Sequence, residues 1–100
     1  MALQVKIQNQ MLEVLGELTS ENTLILKDHL DNFLNEFDNI ILNLENVTVL
    51  EESSAITMEQ MYLEYIQNRK GIQIIGKQNQ HIAGVMKQTK TSYILCNDRV

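Results

Sequence analysis

Between Met11 and Cys96 the chain changes hydrophobic period again and again, and this alternation limits the available folds more than any single residue does. Met11 to Leu18 is a strand-like apolar segment. It is followed by Leu26, Leu30, Phe33, Leu34 and Phe37 at helical spacing, with Asp28, Asp31, Asn32 and Glu36 between them. Ile40–Leu44 and Val47–Leu50 then form an apolar, β-branched run interrupted only by Glu45-Asn46. From about Glu52 to Arg69 the spacing is helical again, with Ala55, Met58, Tyr62 and Ile66 on one stripe and Met61 and Tyr65 beside it. Ile72–Ile75 reads as a strand, Asn79–Gln88 as a shorter helix carrying Ile82, Val85 and Met86, and Ser92–Cys96 as a last strand. Ahead of all this, Leu3, Val5 and Ile7 alternate with polar neighbours, and Asn9-Gln10 supplies a turn, so the first two strands form an antiparallel hairpin.

The predicted order is β-β-α-β-α-β-α-β. Successive strand–helix–strand units demand parallel neighbours joined by right-handed crossovers. The fold class is therefore α/β: one mixed sheet of four to five strands, an N-terminal antiparallel hairpin followed by parallel strands, covered by helices. One hundred residues with 44% in the hydrophobic set suffice for one core, so residues 1–100 are expected to form a single domain.

Charge and motifs exclude several functions. The net charge of −5 provides no basic face for phosphates, so no nucleic-acid partner is expected. The charge is unevenly distributed: 12 acids face Lys6 and Lys27 up to Glu64, whereas six basic residues face only Asp98 after it. An acidic surface of this kind steers a basic protein partner. No apolar run is long enough for a membrane span and the start does not lead into a signal-peptide core, so no direct membrane insertion and a cytoplasmic location are expected. Cys96, the only cysteine, reads as a packing residue.

Gly71 to Lys77 matches the first seven positions of a phosphate-binding loop, but Gln78 stands where Ser or Thr must ligate magnesium, and the intervening residues are strand-like. His29 and His81 have no partners at metal-ligand spacing. No cofactor, metal or catalytic constellation is expected, and the chain reads as a non-enzyme. The residues with the strongest functional placement are Glu51 and Glu52, where a central strand ends and a helix begins. That is the carboxyl edge at which α/β proteins place functional groups. Acids there also suit a helix dipole, and Ser53 or Ser54 can cap.

The segments "LEVLGELTSENTLILKDHLDNFL", "NIILNLENVTVLEESSAI" and "GIQIIG" resemble, in order, the second strand and first helix, the signature strand, and the next strand of the STAS domain, the fold of bacterial anti-sigma factor antagonists. The signature there is an apolar strand followed by Val-Thr-Phe-Ile-Asp-Ser-Ser-Gly-Leu. The resemblance implies a regulatory protein–protein module whose serine after the aspartate is phosphorylated by a partner kinase that is also the anti-sigma factor. Aligned without gaps, Glu51 matches the aspartate, Glu52 the phosphorylated serine, Ser53 the next serine and Ser54 the glycine. The switch position thus carries a permanent carboxylate, and the switch is lost unless it has moved to Ser53.

The expected partner-binding residues are Glu51, Glu52, Ser53 and Ser54, with Met58, Met61 and Tyr62 on the following helix, where a Met61-Tyr62-Tyr65 surface would serve a partner. The expected partner is a protein, with a serine-kinase anti-sigma factor first among candidates. The rival within the same fold is an accessory subunit of a membrane lipid transporter's ATPase. Many STAS domains close with a further helix, whereas this sequence ends at Val100. A minimal domain, or a partner such as a second copy forming a homodimer over that face, would account for it.

Overall fold

The computed structural model describes residues 3–96. Four strands, β1 (Leu3–Gln8), β2 (Met11–Leu18), β3 (Asn39–Leu50) and β4 (Gly71–Ile75), form one sheet in the order β1-β2-β3-β4. The β1–β2 hairpin is antiparallel, and β2–β3 and β3–β4 are parallel. Asn9 makes the hairpin turn with φ of 56°, a left-handed conformation that asparagine tolerates. Helices α1 (Ser20–Glu36), α2 (Glu52–Gln67) and α3 (Gln80–Gln88) join the parallel strands and follow β4.

Strand order follows chain order, so right-handed crossovers place all three helices on one face. Burial agrees. Leu12, Leu42 and Ile74, aligned across three strands, are buried, whereas the next aligned row, Glu13, Asn43 and Ile75, is only half-buried. The core lies between the sheet and Leu26, Leu30, Phe33 and Leu34 of α1, Met58, Met61 and Tyr65 of α2, and Ile82 and Met86 of α3.

The continuous strand expected across the Glu45-Asn46 interruption is present: β3 runs through the pair as a bulge, the register moving from Glu13↔Asn43 to Leu15↔Asn46, with a second shift before Val49. Each extra residue changes the burial period, so Leu44, Val47 and Leu50 are buried at a spacing of three instead of two. Asn79 holds the bulge, its Nδ2 donating to the carbonyls of Leu44 (2.9 Å) and Val47 (2.8 Å).

The expected last strand is reduced to one bridge. Lys90, at φ 61°, turns the chain, Ser92–Ile94 form a 3-10 turn, and only Leu95 reaches the edge of β4, in parallel with Ile74. The Cys96 N–H donates to the Ile74 carbonyl at 2.7 Å. Asn97–Val100, where the sequence reading raised the question of a closing helix or a covering partner, lie outside the described residues.

β4 begins beside β3 at the edge of the sheet opposite the one where α1 and α2 begin, with the Gly71 N–H donating to the Asp38 carbonyl at 2.7 Å.

Candidate functional site

β2 ends at Leu18 and β3 at Leu50, with the Glu51 N–H donating to the Leu18 carbonyl at 3.1 Å. Both strands therefore release their helices at the same edge. Thr19 caps α1 by accepting from the Asn22 N–H at 3.2 Å. Glu51 occupies the capping position of α2 but makes no side-chain bond to its own helix. Its carboxylate instead reaches across to α1, accepting from the Ser20 N–H (2.9 Å) and from the Ser20 hydroxyl (3.2 Å). The Ser20 and Ser53 hydroxyls meet at 2.5 Å, so one short chain of contacts, Glu51–Ser20–Ser53, ties two helix N-termini together. Backbone N–H groups and helix dipoles make such a place attractive to negative charge.

The adjacent acids take different directions. Glu51 is held against α1, whereas Glu52, in the first turn of α2, is exposed and makes no hydrogen bond or ion pair among the described residues. Ser20, Glu51, Glu52 and Ser53 are all exposed, so this edge is an accessible surface and not a cleft. An open concavity of about 490 Å3, lined by Gln10, Asn39, Ile41, Ile66 and Gln73 among others, lies at the opposite end of the strands.

The remaining expected partner residues lie elsewhere. Ser54 is fully buried, and its hydroxyl has no hydrogen-bond partner among the described residues. Met58 and Met61 are 2% and 4% exposed, so they are core and not a contact surface. Tyr62 is half-buried. The surface expected from Met61, Tyr62 and Tyr65 is therefore not present. The helix buries the stripe Ser54, Met58, Met61 and Tyr65, and it turns Ile66, expected inside, outward.

α1 and α2 run side by side in register. Twelve residues beyond the Ser20–Ser53 contact, the buried Tyr65 donates its hydroxyl to Oδ1 of Asp31 at 2.7 Å, and Lys27 reaches Oδ2 of the same carboxylate at 2.9 Å. Burial pushes the Asp31 carboxyl up, but the Tyr65 and Lys27 hydrogen bonds together outweigh it and leave it below the usual carboxylate range. Burial first, and then the bond to Asp31, pushes the Tyr65 phenol well above its ordinary value. The hydrogen bond to Asp31 raises the Lys27 ammonium against the opposing effect of burial.

Neither link could be found by local pattern. Residues 20 and 53, or 31 and 65, are more than thirty positions apart, and only the parallel crossover brings them together. Among the described residues no group of three or more His, Cys, Asp or Glu side chains could hold a metal ion. No described helix is long and apolar enough to cross a membrane.

No family model matches the chain, and none of the curated proteins does. Solved structures do match. The anti-sigma factor antagonist SpoIIAA in its unphosphorylated form superposes with a TM-score of 0.68 over 98% of this chain and 89% of its own, at 12% identity. The chain has the STAS fold. SiaC of Pseudomonas aeruginosa also matches, with a TM-score of 0.55, 16% identity and 90% of each chain covered. The mixed sheet and its three helices are the elements on which this STAS fold rests, and the Glu51–Ser20–Ser53 edge is built on the two longest of those helices.

Proposed function

We propose that the chain is a non-enzymatic regulatory module of the cytoplasm that acts by binding a protein partner at the carboxyl edge around Glu51, Glu52 and Ser53. The observation that carries this reading is the linked pair of helix N-termini, Glu51–Ser20–Ser53, exposed in a fold shared with an anti-sigma factor antagonist. The first candidate partner is a serine-kinase anti-sigma factor. Glu52 stands in the place of the phosphoacceptor serine in the resemblance. Its single negative charge imitates in part the roughly −1.5 to −2 of a phosphoserine, which makes the chain a permanently weakened ligand.

Ser53 is the alternative phosphosite. Phosphorylation there would put a dianion beside the Glu51 carboxylate and remove the hydroxyl contact to Ser20, so the modification would open the link between α1 and α2. Ser54 cannot take this role without local unfolding, because its hydroxyl is buried.

The test is affinity purification of tagged wild type and Glu52→Ser from the native cytoplasm, with co-eluting proteins identified by mass spectrometry. A serine-kinase-like protein held more tightly by Glu52→Ser supports the antagonist reading. A transporter ATPase held equally by both replaces it with the accessory-subunit reading, for which the two glutamates are helix-start electrostatics. Incubation with the recovered kinase and ATP then tests the moved switch, and absence of phosphate on Ser53 removes it.

A further inference from the structure

We propose that the outer face of the α1–α2 pair is a docking platform for a helix of a partner protein that is apolar on one side and flanked by lysine or arginine. This deepens the protein-binding reading above and rests on it, while placing the main contact along the helices instead of at the edge alone.

Five large hydrophobic side chains stand in solvent on these two helices, of which Ile66 lines the concavity at the opposite end of the strands. Leu24 and Ile25 of α1 are 60% and 50% exposed, and Ile56 and Leu63 of α2 are 44% and 43% exposed. Leu24 lies one turn beyond Ser20, and Ile56 one turn beyond Ser53, so the Ser20–Ser53 contact sets them at one level on neighbouring parallel helices. Leu63 follows Ile56 by seven residues, two turns along the same face. At the far end the Tyr65–Asp31 bond keeps the helices together. An amphipathic helix laid along two parallel helices pinned at both ends would cover apolar residues at this spacing.

Charge selects the occupant. The two helices carry seven carboxylates against the single ammonium of Lys27, which is already engaged by Asp31. Glu21, Asp28, Glu52 and Glu64 are exposed around the apolar residues. Such a rim attracts a basic partner. It repels an anionic membrane surface, and it repels the same face of a second copy.

The test uses a synthetic amphipathic peptide of about 18 residues with leucine on one face and lysine on the other, titrated into the full chain and followed by backbone amide NMR. A glutamate/leucine peptide of the same pattern is the control. The expected result is perturbation confined to α1 and α2, and no binding of the glutamate peptide. Leu24→Ser and Leu63→Ser should each weaken binding about tenfold, whereas Ile7→Ser, an equally exposed site on β1, should leave it unchanged. Shifts on the sheet face, equal affinity for the glutamate peptide, no binding at all, or affinity indifferent to the two leucine variants would overturn the proposal. The last result would show attraction by net charge alone. The two readings fail separately. Helix-localised binding together with a partner indifferent to residue 52 removes the edge switch and keeps the platform. A residue-52-dependent partner with no helix-localised peptide binding does the reverse.

Discussion

Replacing Asn79 should destabilise the fold in a way that separates its two tasks. The side chain is 8% exposed. Its Oδ1 accepts from the His81 N–H at 2.8 Å and so caps α3, while Nδ2 donates to the Leu44 and Val47 carbonyls on either side of the β3 bulge. Asn79→Ala loses a cap, which costs about 1 kcal/mol, and two buried hydrogen bonds at about 0.5–1.5 kcal/mol each, for a total of roughly 2–4 kcal/mol. Asn79→Asp keeps an acceptor for the cap, and aspartate caps as well as asparagine does, but it sets a carboxylate against two carbonyl oxygens. It should therefore cost at least about 2 kcal/mol at neutral pH. Urea unfolding followed by circular dichroism measures both variants. If Asn79→Asp stays within about 0.5 kcal/mol of wild type, Asn79 is a cap only and the bulge does not depend on it.

Tyr65→Phe keeps the ring in the core and removes one bond to a carboxylate, so it should cost about 1–2 kcal/mol. The Asp31 carboxyl should also move up towards its ordinary range in an NMR titration, because it loses one of the bonds that hold it down. Since Asp31 titrates lower in the folded than in the unfolded chain, its contribution is present above about pH 4 and should be lost as pH falls through the folded value. Tyr65 and Lys27 titrate higher when folded, so their contributions are complete below about pH 10 and should be lost as pH rises beyond it. Thermal unfolding across pH should show both losses, and both should be blunted in Tyr65→Phe. Ser54→Ala removes a buried hydroxyl without a partner and improves helix propensity, so it should raise stability by about 0.5–1.5 kcal/mol in urea unfolding. A loss of stability would mean that the hydroxyl is bonded.

The strands and helices were legible where one period ruled a whole segment. Leu3 and Val5 alternate with exposed neighbours, and Leu26, Leu30, Phe33 and Leu34 recur helically, because each segment has one covered face; Ile7 continues the alternation but is exposed. Legibility failed where two causes competed. At Glu45-Asn46 the strand was legible as resuming after the polar pair but the bulge was not, because Asn79, more than thirty residues away, supplies the hydrogen bonds that hold it. On α2, Ala55 and Met58 are buried as the expected stripe requires, but its continuation through Tyr62 and Ile66 and the alternative through Met61 and Tyr65 are both plausible by composition. Packing against α1 and the sheet chose the second, and this removed Met58 and Met61 from the contact surface. At Ser92–Cys96 the residues are strand-like, but the turn at Lys90 and Thr91 consumes the length needed to pair, and only Leu95 reaches β4.

The two glutamates at the strand end therefore have separable roles, and the separation follows from geometry. A capping position has extended backbone, as Glu51 does at φ −78° and ψ 152°, whereas the next residue is already helical. Consecutive side chains across that change must diverge. Glu51 is directed to the neighbouring helix, where its carboxylate satisfies a free N–H at the start of α1, one of the four that every helix leaves unpaired. Glu52 is left in solvent at the start of α2, where the dipole favours an acid but nothing in the fold requires one. A structural need thus accounts for the carboxylate at 51 and not for the one at 52. For that reason the test of function is placed on Glu52, where a substitution can alter a partner's affinity without first altering the fold.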